Sequence, residues 1–259
     1  MQGTTDVTLA SGLWREGRCL RAARIVPLDS ETQRTLLDSL AVEVPARRVS
    51  GLVAAAVAAL DDVAPFGLDE ARALTVGDRD RILLGLRAAL VGDEMECLCE
   101  CSCGETLELT VSIRDLLGEP ADAPAPVECA GVRAVTGADH ERAALRALDD
   151  PTAAVDELVR GCMLAGDDVD AAARLLEELD PGAEILLRGP CPACGAEVVA
   201  ALDPGAYLWT ELEHRRAQLE LDVHTLARHY HWSEAEIVAL GPERRARYIE
   251  LIAAEAGAA

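Results

Sequence analysis

The residues whose types could do chemistry are concentrated in cysteine. The chain has nine cysteines, in two groups and three singles. Cys191-Pro192-Ala193-Cys194-Gly195 has the form of a zinc knuckle: two thiols on a tight turn, then a glycine that can take positive φ. The other group is Cys97, Cys99, Cys101 and Cys103, with Gly104 directly after the last. Its Cys-Gly matches the end of a knuckle, but Glu100 stands where the first thiol of a CxxC would be. Cys101 is therefore the expected partner of Cys103, because it lies closest to the turn, with Cys99 as the alternative. Cys97 fits a buried strand position. Cys101, Cys103, Cys191 and Cys194 would close a four-thiolate tetrahedral Zn2+ site. A closed site leaves no position for water or substrate. Its expected role is a structural clamp between two segments far apart in sequence, with folding linked to the metal. Cys19, Cys129 and Cys162 stand alone and read as small buried hydrophobes.

Other constellations carry less. His224, His229 and His231 invite a metal or general-base reading, but the step from His224 to His229 does not keep one helix face. No HExxH, glycine-rich phosphate loop or GxSxG elbow is present. Asp167, Asp168 and Asp170 look like a piece of a calcium loop, but the glycine and the distal glutamate are missing, so they read as a solvated helix start. Arg244, Arg245 and Arg247 lie on a short helix that follows another, an arrangement that could pass for a helix-turn-helix.

These residues must be positioned by the surrounding elements. Residues 1–28 read as a loose or strand-forming leader. Ser30 is placed to cap a helix through Leu40. Residues 49–60 read as a helix, residues 61–68 as a broken connection, and a further helix starting at Leu68 is interrupted near Thr75. Ile82, Leu83, Leu86, Ala89 and Leu90 repeat at helical spacing over residues 78–90. The period then changes to two on either side of each cysteine turn, giving strand, knuckle, strand at residues 95–111 and again at 184–202. Residues 118–126 (GEPADAPAP) form a linker unlike the packed segments around it. A hairpin is expected over residues 127–137, then helices at 139–148, 150–166 and 167–179. The tail reads as helices at 207–219 and 222–229, a short one opened by a Ser233–Glu236 capping box, and a last one starting at Pro242, with Tyr248, Leu251 and Ile252 on its buried face. The fold class that follows is α+β. It is mainly helical, with a small zinc-ribbon-like β element built from two separated cysteine knuckles and a C-terminal helical bundle. The expected divisions are an N-terminal region (1–68), helix plus first knuckle (69–117), linker (118–126), helical segment (127–183), second knuckle (184–204) and C-terminal helical region (205–259).

Composition bounds the partners. Half of the residues are hydrophobic but only 3% are aromatic, so alanine, leucine and valine must fill the core and no extended base-stacking platform is available. The 46 acidic against 24 basic residues give a formal charge of −22, which repels phosphate backbones and anionic membranes. No secretory signal or bilayer-spanning apolar run is visible, so a cytoplasmic location is expected, where clustered thiols bind metal rather than form disulfides.

Taken together, CSCGETLELTVSIRDLL, CPACGAEVVAALDPGAYLWTELE and LDVHTLARHYHWSEAEIVALGPERRARYIELI resemble T4-like phage baseplate proteins and their relatives in contractile injection system clusters. The resemblance runs from about Leu74 to Ile252 and is strongest from Cys191 onward. The CPxCG knuckle, the W-x-E-x-E-I helix start and the P-x-R-R-x-x-Y helix carry it together. It implies a non-enzymatic structural or assembly component of a contractile-tail baseplate. That component would be stabilised by zinc, bound to other baseplate, hub or tail proteins, and incorporated in a phage-tail-like particle. By position, Cys103, Cys191 and Cys194 match the family's knuckles. Trp232, Glu234, Glu236, Arg244, Arg245 and Tyr248 match its tail motif and are the expected partner-binding residues. The first knuckle departs from CxxC. A zinc-ribbon DNA-binding regulator and a metal-dependent enzyme using the C-terminal histidines are the alternatives.

Overall fold

The computed structural model describes residues 4–119 and 121–257. Residues 1–3 of the expected leader and Pro120 of the expected linker lie outside the described residues. The chain is mixed α/β, 53% helix and 23% strand, so small sheets are set among helices. It divides into two units. One joins the residues up to Leu28 with Ser39–Leu208, and the other joins Asp29–Asp38 with the residues from Trp209 onward.

The first unit opens with β1 (Thr5–Arg15) and β2 (Arg18–Ile25). The chain then enters α1 (Ser30–Leu40), α2 (Pro45–Ala56) and β3 (Val57–Leu60), and the sheet order is β1-β2-β3, all antiparallel. Two sequence expectations change here. Asp29, not Ser30, caps α1: its carboxylate accepts the Thr32 N–H at 2.7 Å. The expected helix at 49–60 starts earlier, at Pro45, and ends at Ala56. Its last third, Val57–Leu60, becomes a strand because β2 offers it a ladder, with Ala23 opposite Leu60. Propensity in an Ala/Val run does not separate the two states, and pairing decides.

Next come α3 (Leu68–Ala73) and α4 (Val76–Val91). Thr75 caps α4 by accepting the Asp78 N–H. Asp78 is fully buried, and its carboxylate accepts N–H groups of Ala10, Ser11 and Gly12 in the irregular stretch of β1. A bulge strips these amides of ladder partners, and one carboxylate replaces them. Gly12 sits there at φ 70°, and a Cβ would stand 2.5 Å from the Leu20 carbonyl, so only glycine fits.

β4 (Glu94–Glu100) and β5 (Thr106–Ser112) form the first hairpin, followed by α5 (Ile113–Leu117). Within the expected linker, residues 121–125 are laid along the first sheet rather than left unpacked: the Ala125 N–H donates to the Ala10 carbonyl and Arg21 Nη2 to that of Ala121. β6 (Glu128–Cys129) and β7 (Val132–Arg133) make the small expected hairpin. Three helices follow: α6 (Gly137–Ala147), α7 (Pro151–Cys162, capped by Asp150) and α8 (Val169–Leu179, capped by Asp168). Val132 of β7, Val159 and Cys162 of α7, and Ala172 and Leu179 of α8 form a shared core. Cys162 is buried as expected, but Cys129 is exposed, because a two-residue strand has no second layer to cover it. A 3-10 turn (Pro181–Ala183) leads to β8 (Ile185–Pro190) and β9 (Glu197–Leu202), the second hairpin.

The second unit is helical. α9 (Pro204–Tyr230) enters it as one 27-residue helix where the sequence suggested two. Residues 219–222 contain no Gly or Pro to break it, and Gln218 donates to Asp222 along the helix at 2.9 Å. α10 (Glu234–Val238) has the expected Ser233–Glu236 capping box, and α11 (Pro242–Gly257) starts at Pro242. The buried positions are Leu37, Trp209, Leu212, Leu226 and Ile237. On α11, Leu251 is exposed, and Arg245, not an apolar residue, is buried. Arg245 pairs with Asp222 at 3.2 Å, while Tyr248 and Ile252 of the expected face are half-buried. No helix among the described residues is long and apolar enough to cross a membrane.

Candidate metal centre

The two hairpins are built on the same plan, and each ends in a turn closed by backbone hydrogen bonds. In the first, the Cys101 N–H donates to the Glu105 carbonyl and the Gly104 N–H to that of Cys101. In the second, the Cys191 N–H donates to the Ala196 carbonyl and the Gly195 N–H to that of Cys191. The first turn is one residue shorter, which accounts for Cys-x-Cys-Gly in place of Cys-x-x-Cys-Gly. Both exit through a glycine at positive φ, Gly104 at 90° and Gly195 at 74°.

Facing strand residues bring the turns together. Met95, Cys97, Cys99 and Cys101 lie on the inner face of the first hairpin, and Leu187, Cys191 and Val198 on that of the second; all are buried. Cys99, Cys101, Leu107, Cys191 and Val198 form one cluster. Gly189 marks the close approach, since a Cβ there would stand 2.9 Å from Leu109 Cδ2. At the start of α9, Tyr207 Oη donates to the Glu96 carbonyl at 3.0 Å and ties that helix to β4.

The thiols of Cys101, Cys103, Cys191 and Cys194 all lie within 4.8 Å of one another. Cys101 Sγ is 3.7 Å from Cys194 Sγ, and Cys103 Sγ is 3.6 Å from Cys191 Sγ, so each short contact joins the two hairpins. Disulfide sulfurs would be only ~2.0 Å apart. Four sulfurs placed ~2.3 Å from one ion at tetrahedral corners would be ~3.8 Å apart, which these contacts approach. The set is compatible with a metal site. Cys99 is outside it, facing the apolar cluster one strand step away. Among the described residues no other group of three or more metal-binding side chains meets.

Backbone amides converge on the sulfurs. The Cys103 N–H is the main influence drawing the Cys101 thiol down, and with the neighbouring thiols it brings it to about 7. The Glu105 N–H pulls Cys103 down, but the three surrounding thiols outweigh it and push Cys103 up to about 12. The Ala196 N–H lowers Cys194, yet Cys191 and Cys101 leave it raised. Cys101 gives up its proton most readily, and its thiolate holds the protons on Cys103 and Cys194. A bound dication would reverse that by favouring every thiolate.

The expected partner-binding residues divide. Glu236 is engaged in its capping box and Arg245 with Asp222. Trp232 stacks on Tyr230 at 4.7 Å and meets Tyr248 edge-on at 5.0 Å. Glu234 and Arg244 are exposed. His224, His229 and His231 are exposed and form no common site.

A second polar centre was not legible in the sequence. Arg79 is buried and donates to Ser50 and to the Ala46 carbonyl, while Glu141 accepts from Ser50 and Arg72. Burial draws Arg79 down to about 10. Asp80, close by on α4, lines a cavity of about 270 Å³ with Glu184, Pro181 and Leu116. Burial, then the nearby Asp203, pushes Asp80 up to about 8. Scattered charges on helices look solvated until tertiary packing covers them. Comparison with protein-family models, curated proteins and solved structures returns no match.

Proposed function

We propose that Cys101, Cys103, Cys191 and Cys194 hold one structural Zn2+, and that the chain is a non-enzymatic structural or assembly component of a phage-tail-like contractile injection system baseplate. The meeting of four thiols at tetrahedral spacing from two hairpins carries the zinc reading. Sulfur ligands suit zinc, and a filled tetrahedron has no position for substrate. The paired hairpins then act as a zinc-ribbon-like element and the second unit as a helical bundle. The sequence resemblance supports the baseplate context, and an acidic, cytoplasmic assembly protein fits the charge. Arg244 and Glu234, exposed within the resembling tail motif, remain available to a partner.

Metal analysis of protein purified without added zinc is expected to give one zinc per chain, and co-expression with neighbouring sheath, hub or wedge proteins is expected to give a stable complex. A zinc-free folded chain would overturn the clamp. A zinc-loaded monomer that binds none of those proteins would overturn the assembly role.

A further inference from the structure

The two hairpins share a plan but not an outer surface. On β8–β9 the outward Arg188 lies 3.9 Å from Glu197, so that face carries its own counter-charge. On β4–β5 the outward positions are Glu94, Glu96, Leu98 and Glu100, with Thr106, Glu108 and Thr110 opposite. All seven are exposed, and no basic residue stands among them. Leu98 pairs across the strands with Glu108, while Glu96 and Glu100 flank it diagonally. Such neighbours repel one another across a sheet. None of these carboxylates has an ion pair among the described residues, and Leu98 is 74% exposed at their centre. The hairpin thus holds an apolar side chain inside a ring of uncompensated negative charge.

We infer that the outer face of β4–β5 docks an extended, lysine- or arginine-bearing segment of a partner protein, with an apolar side chain seated over Leu98. Charge complementarity selects the partner's sign, and Leu98 supplies the one desolvated contact. Recognition is by the face, because Tyr207 already occupies the Glu96 carbonyl on the strand edge. Only the identification of the partner as an assembly protein rests on the function proposed above; the face stands on its own residues.

The test uses the full chain and a fluorescent peptide of alternating lysine and valine, followed by anisotropy at low and moderate salt. E96Q/E100Q/E108Q is expected to weaken binding about tenfold or more, since three charge pairs with the peptide are lost together. Leu98→Ser is expected to weaken it about threefold or more at unchanged charge. D170N/E177Q/E178Q, which removes the same charge from exposed positions around α8, is expected to leave binding within about twofold. Equal weakening by both triple variants, or no binding by the wild-type chain, overturns the inference. Zinc is counted in the same samples: its absence refutes the clamp, while the peptide result still decides the face.

Discussion

Replacing Cys194 with alanine removes one corner of the thiol tetrahedron and leaves the rest of the second knuckle in place. The buried large apolar side chains in the cluster beneath the sulfurs are Leu107 and Val198, with the half-buried Leu109 packed against them. Burying two such side chains is worth about 3–6 kcal/mol, against roughly 10–16 kcal/mol for a structural zinc. The metal is therefore the larger local contribution, and a two-stranded hairpin without it is marginal. The first sheet and α4 have a core of their own, including Leu9, Ile25, Leu52, Ile82 and Leu86, all fully buried. Loss of zinc should accordingly loosen residues 94–112 and 185–202 while sparing α4. Metal analysis combined with hydrogen exchange reads both effects. The expected outcome is less than one zinc per chain after dialysis and faster exchange confined to the hairpins. Cys99→Ala serves as control and should keep the zinc, because Cys99 lies outside the thiol group. A Cys194→Ala chain that lacks metal yet protects both hairpins like wild type would show that the thiols merely pack.

Further perturbations probe the scaffold. Gly104→Ala places a Cβ in open space but at φ 90°, so its effect is purely backbone strain, about 1–2 kcal/mol; chelator competition should show zinc held about 5- to 30-fold more weakly. Arg245→Ala leaves Asp222 charged and buried, which should cost the second unit about 3–5 kcal/mol in denaturant unfolding, with D222N/R245M recovering much of it. Asp80, held at about 8, stays protonated in the fold while the unfolded chain ionises near its ordinary ~4. Stability contributed by this group is thus present below about pH 4 and falls between about pH 4 and 8, by at most ~1.4 kcal/mol per unit. Asp80→Asn should flatten that slope, and coincident wild-type and variant slopes in urea midpoints would contradict it.

How much of this was legible beforehand depended on the range of the signal. Period-two alternation around Cys97–Cys103 and Cys191–Cys194, the Ser233–Glu236 capping box and the glycines after Cys103 and Cys194 are local properties, so a single sequence displays them. The element choice at Val57–Leu60 was not local, because it needed β2 as a pairing partner. Nor was the continuity of α9, since polar residues tolerate either state when no Gly or Pro forces a stop. The buried Arg245–Asp222 pair was hidden for the same reason: a charge looks solvated until its partner arrives from another helix.

The cysteine residues themselves divide the same way. Sequence alone determined that Cys191, Cys194 and Cys103 stand on knuckle turns, because spacing and the following glycine are encoded within a few residues. It favoured Cys101 but kept Cys99 as an alternative, since alternate strand positions put both thiols on one face. Only the tertiary structure decided between them. The facing hairpin brings Cys194 Sγ to 3.7 Å from Cys101 Sγ, whereas Cys99, two residues back along β4, is a full strand step from the turn.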